Sequence, residues 1–112
     1  MRVCKERSDV FFFSKIKNIT TIELATKLAD NIVLLDVRTP SEYRQGHIAK
    51  AKNVPLNKIT AYKEKTDQRI YVICQSGMRS KQAAKQLKQK GYDVINVKGG
   101  MNQWSGKVRG GK

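Results

Sequence analysis

The chain has 112 residues, of which 39% are hydrophobic and 29% are charged. This length fits one domain, and because the apolar residues cluster in short runs, the composition excludes a wholly disordered chain. The 23 lysine and arginine residues exceed the nine acidic ones, and the net charge of +14 attracts anions from small oxyanions to acidic proteins or RNA without selecting one of them.

The first thirty residues contain an apolar run and a helical pattern. The run at residues 10–13 is shorter than the roughly 7–15 residues of a secretory core, and no stretch approaches the ~20 apolar residues of a membrane span. We therefore expect a cytoplasmic protein with reduced thiols and no membrane partner. The segment "TTIELATKLAD" predicts a helix with Thr20 or Thr21 as its N-cap. Its apolar residues are predicted to lie toward one side: Ile22, Leu24, Ala25 and Leu28.

The middle of the chain contains one strong strand signal and two weaker patterns. Residues 32–37, "IVLLDV", are apolar without alternation, which is typical of a central strand that is covered on both faces. Residues 53–55, "NVP", predict a further short strand that the proline ends. Residues 57–69, "NKITAYKEKTDQR", predict another helix.

The last third continues the alternation of strands and helices. Residues 70–74, "IYVIC", and 93–97, "DVINV", predict two more buried strands. Between them, "SKQAAKQLKQKG" predicts a helix with Ala83, Ala84 and Leu87 on one stripe and Gly91 at its C-terminal end. Strands that alternate with helices indicate a small α/β domain with a mainly parallel sheet.

Positive charge is concentrated toward the C-terminus. Residues 81–112 carry eight lysine and arginine residues against one aspartate, a net charge of +7. Few aromatic residues are interleaved with these charges and no RNA-binding motif is present, so nucleic acid is not expected as a partner. Both ends of the chain, residues 1–8 and 106–112, predict flexible basic tails.

The cysteines and the histidine exclude the common metal sites. Cys4 and Cys74 do not belong to a CxxC pair, and His47 is the one histidine of the sequence. Because these residues do not provide a zinc ligand set, neither a metal nor another cofactor is expected. A lone histidine is more often a hydrogen-bonded structural residue than a catalyst, so no Cys–His dyad is predicted. We interpret Cys4 as an ordinary free thiol, and a role as a partner thiol that accepts from Cys74 is the open alternative.

The turn after Cys74 combines features that stabilise negative charge. Cys74 ends a predicted parallel strand, where ligands bind in sheets of this kind. In the turn "QSGMR", Gly77 lets the loop curl, so that the amides of residues 75–80 can form an anion-binding nest. The following helix N-terminus and Arg79 add positive charge. These features favour a nucleophilic thiolate at Cys74 over an inert packed cysteine, and a thiolate without a base is suited to attack sulfur.

Three segments together resemble the rhodanese, or thiosulfate sulfurtransferase, domain family. They are "LLDVRTPSEYRQGHIAKAKNVPL" (34–56), "YVICQSGMRSKQAAKQL" (71–87) and "GYDVINVKGGMNQW" (91–104), in the order and spacing of the family. The resemblance implies a small rhodanese-like α/β domain whose mainly parallel central sheet is flanked by helices on both faces. It implies an N-terminal extension over residues 1–18 that can include the first edge strand, the domain over residues 19–105, and a basic tail over residues 106–112.

The resemblance also implies a persulfide mechanism with Cys74 as the catalytic residue. The thiolate would take the outer sulfur of thiosulfate or of a persulfide donor, and a thiol acceptor would then remove it. The acceptor would be a small molecule or a protein such as a thioredoxin-like protein. The implied substrate-binding loop consists of Gln75, Ser76, Gly77, Met78, Arg79 and Ser80. The implied supporting residues are Asp36, Arg38, Glu42 and His47. Arg38 could also face the pocket. Turn and packing roles are implied for Gly99, Gly100 and Trp104.

Two alternatives to a sulfurtransferase are open. Related phosphatases share the framework but place five residues between cysteine and arginine, whereas four separate Cys74 from Arg79. The tighter loop suits a single sulfur atom better than a phosphate. The other alternative is a rhodanese-like interaction or redox-sensing module, whose basic surface docks an acidic protein.

Overall fold

The computed structural model describes residues 15–65 and 67–112. Within them lie the strands β1 (Lys17–Ile19), β2 (Val33–Asp36), β3 (Lys52–Asn53), β4 (Ile70–Ile73) and β5 (Val94–Val97). All neighbours pair in parallel, and the strand order is β1-β5-β4-β2-β3. The predicted parallel α/β fold is confirmed. Cys4 and the predicted tail over residues 1–8 lie outside the described residues.

Helices connect these strands. They are α1 (Thr21–Lys27), α2 (Pro40–Gln45) and α3 (Met78–Gln89), with 3-10 helices at Leu56–Ala61 and Gly100–Gln103. A capping box begins α1 and another begins α2, because Thr20 and Glu23 bond each other's backbone amides, as do Thr39 and Glu42. In the part of the chain that the structure describes, no helix is long and apolar enough to cross a membrane.

The sheet is covered on both faces because successive side chains of a strand point to opposite sides. Leu35 and Val72 belong to the core cluster that α3 covers. Their neighbours Leu34 and Tyr71 belong to the cluster that α1 covers. Central strands that are buried on both faces explain the continuous apolar runs of the sequence.

Helix α3 follows a glycine and is followed by one. Gly77 is the N-cap with φ 106°, and Gly91 beyond the last turn has φ 101°, which is a backbone conformation that glycine adopts readily. The helix begins before the predicted start near Ser80, so Met78 and Arg79 belong to its first turn rather than to the connecting loop. The predicted stripe is buried, as expected: Ala83, Ala84 and Leu87.

Helix α1 buries a different side from the predicted one. Thr21 and Leu24 are buried, whereas Ile22 is 78% exposed and Ala25 is also exposed. The Thr21 hydroxyl donates to the Gln103 carbonyl at 3.1 Å and holds this side toward the domain. The prediction is wrong for Ile22 and Ala25 because a helix of seven residues is too short for apolar spacing alone to fix its buried face.

The helix predicted over residues 57–69 is a 3-10 helix that ends at Ala61. Its N-cap, Pro55, makes no side-chain capping bond, and the backbone is extended again at Tyr62. The β-branched Ile59 is fully buried in the cluster with α3, so tertiary packing rather than helix propensity fixes this segment. The short strand predicted at residues 53–55 occurs one residue earlier, at Lys52–Asn53.

The C-terminal residues are attached to the domain, in contrast to the flexible tail that the sequence predicts. Arg109 and His47 form an antiparallel bridge with backbone N–O distances of 2.8 and 2.9 Å. The Gly111 amide donates to the Arg44 carbonyl at 2.9 Å. These bonds join backbone atoms, which every residue has, so the identities of the residues do not predict them. At the other end, β1 crosses the boundary predicted between residues 18 and 19.

Candidate active site

Cys74 lies at the carboxyl end of the central strand β4 and is fully buried, with 0% exposure. Its sulfur accepts a hydrogen bond from the Gly77 amide at 3.0 Å. The thiol donates to Ser80 Oγ at 3.3 Å. The sulfur therefore lies at the strand tip, as expected, but beneath the loop rather than on the surface.

The loop after Cys74 turns its first carbonyl groups toward the second 3-10 helix. The Cys74 carbonyl accepts from the Met101 amide at 2.8 Å, and the Gln75 carbonyl accepts from the Asn102 amide at 2.9 Å. Gly77 has a left-handed conformation, and its amide points back and donates to the Cys74 sulfur. One amide of the predicted nest is thus in contact with Sγ, and a role for the others remains a prediction.

Two glycines, Gly77 and Gly100, allow this close approach of backbone to backbone. A β-carbon on Gly100 would lie 2.3 Å from the Cys74 carbonyl oxygen. A β-carbon on Gly77 would lie 3.1 Å from the Gly99 nitrogen. The turn and packing roles expected of Gly100 therefore include a direct one, which is to seat the second 3-10 helix against the cysteine loop, whereas a β-carbon on Gly99 would meet the Gln103 side chain instead.

Arg79 of α3 is held by Glu42 of α2. Two parallel hydrogen bonds join its guanidinium to the carboxylate, at 2.7 and 2.9 Å. These bonds, aided by the Thr39 amide, lower the pKa of Glu42 to about 2, and Glu42 in turn raises the pKa of Arg79. At neutral pH the positive charge expected to attract an anion is therefore compensated by Glu42.

Arg38 and Asp36 form a buried ion pair behind the loop, with 4% and 0% side-chain exposure. The Arg38 guanidinium donates to Asp36 Oδ2 and to the Gly46 carbonyl, both at 2.8 Å. It also donates to Gln75 Oε1 at 3.2 Å. This arrangement fits a bracing role, since Arg38 connects β2 to the first residue of the loop and has little exposed surface of its own.

His47 is buried and contacts Tyr43. The two rings are stacked with centroids 3.6 Å apart, and His47 Nδ1 lies 2.7 Å from the Tyr43 carbonyl oxygen. The backbone bridge to Arg109 adds a third contact. This environment fits the structural role predicted for His47, which stays a prediction.

Asn96 is a site residue that sequence reasoning missed. It is 3% exposed on β5, accepts a hydrogen bond from Ser80 Oγ and donates to Asn18 Oδ1 at 2.8 Å. Ser80 Oγ also lies 3.2 Å from the Gly77 carbonyl oxygen. A polar chain therefore runs from Asn18 to the hydroxyl beside the Cys74 sulfur. Its signal in the sequence was a single polar residue inside the apolar run "DVINV".

The described part of the chain contains no set of side chains that could bind a metal ion. Among residues 15–65 and 67–112, no group of three His, Cys, Asp or Glu side chains is arranged to hold an ion. What the site does provide is a sulfur atom held by an amide and a hydroxyl at the carboxyl edge of a parallel sheet.

Comparison with known proteins gives matches over most of the chain. A family model described as a rhodanese-like domain matches residues 20–107. A putative sulfurtransferase of Bacillus subtilis (strain 168) is 36% identical over 99 residues, which cover 85% of this chain and 96% of that protein. A putative sulfur carrier protein of the same organism is 40% identical over 82 residues, covering 70% of this chain and 44% of that protein. The chain also spans 65% of an uncharacterized B. subtilis protein to which it is 40% identical.

A solved structure supports the same relationship. The crystal structure of a rhodanese-like domain protein from Staphylococcus aureus matches with a TM-score of 0.77 and 32% sequence identity. The match covers 87% of this chain and 100% of that chain.

Proposed function

The chain belongs to the rhodanese-like domain family, and we propose that it is a sulfurtransferase that carries sulfane sulfur as a persulfide on Cys74. The observation that carries this proposal is the 3.0 Å contact between the Gly77 amide and the Cys74 sulfur. An amide donor stabilises the thiolate, which is the nucleophilic form of cysteine. Relatives named as a putative sulfurtransferase and a putative sulfur carrier support the same assignment.

The proposed reaction has two displacement steps at sulfur. In the first, the Cys74 thiolate attacks the outer sulfur of thiosulfate, the S–S bond of thiosulfate breaks, and sulfite leaves with the electron pair. In the second, an acceptor thiolate attacks the outer sulfur of the persulfide. The bond within the persulfide then breaks, Cys74 regains its thiolate, and the acceptor leaves as a persulfide. Neither step requires an external oxidant or reductant.

The groups around Cys74 have separate proposed roles. The loop amides of residues 75–80 hold the negative charge of the thiolate and then of the persulfide. The Ser80 hydroxyl, which accepts from the thiol in this structure, turns to donate to the thiolate. Arg38 positions the loop through Gln75, and Glu42 and Arg79 fix α2 against α3. Because Cys74 is fully buried, loading with sulfur requires the turn at residues 75–77 to shift outward.

Donors and acceptors are proposed at the level of chemical class. The donor is thiosulfate or another persulfide, and the acceptor is a thiol on a small molecule or on a protein such as a thioredoxin-like protein. Since the chemistry requires a reduced Cys74, we place the protein in the cytoplasm, which cell fractionation with a specific antibody would test.

Mass spectrometry under non-reducing conditions tests the persulfide directly. A Cys4→Ser variant, in which Cys74 is the remaining cysteine, is incubated with thiosulfate, and sulfite release is measured in parallel. We expect one added sulfur on the peptide that contains Cys74 and a matching amount of sulfite. In the additional variant Cys74→Ser, both signals disappear while the circular dichroism spectrum is retained. An unmodified Cys74, or turnover that persists in Cys74→Ser, contradicts the proposal.

The second candidate function is an interaction or redox-sensing module with a basic docking surface. The charge of +7 on residues 81–112 favours it. Capture of an acidic partner from cell extract at low salt, followed by its release at raised salt, is the expected result because salt screens exposed charges. Absence of any partner at low salt, together with measurable sulfur transfer, contradicts this function as the main one.

A further inference from the structure

An exposed apolar and basic surface lies beside the cysteine loop. We call it the docking face and define it by Ile22, Met78, Lys81 and Lys98. Ile22 is 78% exposed and Met78 is 76% exposed. Among large apolar side chains of the described residues, these two are the most exposed.

The docking face is continuous and reaches the loop. A cavity of about 340 Å³ is lined by Met78, Lys81 and Lys98 together with Ser76 and Gly77 of the loop. A neighbouring cavity of about 310 Å³ is lined by Ile22 on one side and again by Lys98. Lys98 thus connects the two cavities, and Ser76 and Gly77 connect the face to the turn above Cys74.

The docking face carries the charge of two lysines, Lys81 and Lys98. Neither Lys81 nor Lys98 has an ion-pair partner among the described residues, whose pairs involve Arg38, Arg69 and Arg79 instead. Glu23, next to Ile22, keeps its negative charge but forms no ion pair with either lysine; its carboxylate accepts from the Thr20 amide at 2.9 Å in the cap of α1. Among the described residues, the positive charges that Lys81 and Lys98 place beside the loop are not ion-paired, whereas that of Arg79 is paired with Glu42.

Ile22 does not contribute to the packing of the domain, because its side chain is exposed. Helix α1 turns Thr21 and Leu24 inward and leaves Ile22 in water, although isoleucine gains more than threonine from burial. Met78, in the first turn of α3, adds a flexible side chain that adapts to different contact shapes. Apolar contacts with a charged border are typical of surfaces that bind proteins.

We propose that the docking face receives an acidic protein that carries the acceptor thiol, an inference that rests on the function proposed above. The lysines attract and orient the partner, and Ile22 and Met78 contact its apolar surface. Docking there brings the partner's thiolate to the turn over Cys74. The thiolate attacks the outer persulfide sulfur, the S–S bond breaks, Cys74 keeps the electron pair as a thiolate, and the partner departs as a persulfide.

Three peptides of equal length provide a test. Each contains one cysteine next to leucine, and the flanking positions are all glutamate, all glutamine or all lysine. The protein in the Cys4→Ser background is first loaded with sulfur, and the second-order rate constant of transfer to each peptide is measured. At low salt we expect transfer to the glutamate peptide to exceed transfer to the glutamine peptide by about ten-fold, a ratio that falls toward one at raised salt.

Charge reversal on and off the face locates the effect. In the double variant Lys81→Glu, Lys98→Glu, the glutamate-to-glutamine ratio should fall to about one or below. The matched control, Lys52→Glu with Lys58→Glu, changes the net charge equally at exposed positions on β3, the far edge of the sheet, and on the first 3-10 helix. The control should retain most of the ratio. Equal ratios for all peptides, or equal losses in both double variants, overturn the inference.

A binding measurement separates failure of the face from failure of the chemistry. The Cys74→Ser protein is titrated with the glutamate peptide whose cysteine is replaced by serine, and fluorescence anisotropy reports the affinity. We expect binding that Ile22→Ser weakens several-fold and that Lys81→Glu with Lys98→Glu abolishes. Absence of binding overturns the docking face even where Cys74 forms a persulfide. Tighter binding of a single-stranded oligoribonucleotide than of the peptide assigns the face to nucleic acid and likewise overturns it.

Discussion

Gly100 lies so close to Cys74 that a β-carbon on Gly100 would stand 2.3 Å from the Cys74 carbonyl oxygen. The same oxygen accepts the Met101 amide at 2.8 Å, and Gly100 has φ 58°. No side chain fits between these two backbone segments. The cysteine loop is therefore shaped as much by the second 3-10 helix as by the residues of the loop itself.

Replacement of Gly100 should displace the loop. Gly100→Ala is expected to lower the free energy of unfolding by about 1–3 kcal/mol through overpacking. It should also slow sulfur loading of Cys74, because a displaced loop no longer holds the Gly77 amide against the sulfur. Urea denaturation and the thiosulfate assay measure the two effects. Gly91→Ala is the matched control, because it carries the cost of a positive φ but has no heavy atom within 4 Å of the added carbon. Equal effects in both variants would contradict a role for the close approach.

The ion pair of Glu42 with Arg79 should make stability depend on pH. The pKa of Glu42 is lowered from its ordinary 4.5 to about 2. The contribution of its carboxylate to the free energy of unfolding is therefore complete above pH 4.5 and is lost as the pH falls through 2. At pH 7, Glu42→Gln should lower the free energy of unfolding by about 1 kcal/mol. This value is small because both side chains are about one-third exposed and solvent screens their charges. Glutamine retains the helix cap, so the variant removes mainly the charge.

The control for this pair is Asp93→Asn, which breaks the more exposed pair with Arg69, at 45% and 59% exposure. Its effect at pH 7 should be smaller than that of Glu42→Gln. Denaturation curves from about pH 2 to about pH 7, an interval that includes the ordinary and the lowered pKa of Glu42, check the sign. A destabilisation by Glu42→Gln that is the same throughout this interval would contradict the assignment.

Ser80 and Asn96 should be energetically coupled. Asn96→Val removes one hydrogen-bond partner from Ser80 and one from Asn18. We expect the free energy of unfolding to fall by about 1–3 kcal/mol. In a double-mutant cycle with Ser80→Ala, the coupling energy should be about 1 kcal/mol, as for buried groups in contact. A cycle of Ser80→Ala with Asn53→Ala, whose amide instead bonds the Asp36 and Arg38 carbonyls, should be additive. Additivity in both cycles would show that the polar chain carries no coupling.

Removal of residues 108–112 should destabilise the domain although they look like a tail. Three backbone hydrogen bonds are lost, two with His47 and one with Arg44. At about 0.5–1.5 kcal/mol each, the free energy of unfolding should fall by about 1.5–4.5 kcal/mol. Hydrogen exchange at the His47 amide should accelerate as well. Removal of Lys112 alone is the control and should change neither quantity. An unchanged exchange rate at His47 after the longer truncation would refute the attachment.

Residues that are near one another in sequence determine much of this protein by themselves. The apolar runs at residues 32–37, 70–74 and 93–97 predict the three central strands, and the buried stripe of α3 is predicted residue by residue. The cysteine at the tip of β4 and the glycine loop after it follow from the same local pattern. Such features depend on hydrophobic periodicity and on turn-forming residues, both of which can be recognised in neighbouring positions of the sequence.

Tertiary structure alone decided how the site is charged and enclosed. Glu42 and Arg79 are 37 positions apart, and their pairing exists because the fold brings a residue of α2 and a residue of α3 within hydrogen-bond distance. The burial of Cys74, the approach of Gly100 and the attachment of Arg109 to His47 likewise join distant segments. Ile22 faces water because Thr21 is bonded to Gln103, 82 positions away. Local propensity has no information about such partners, since only the packed sheet brings them within contact distance.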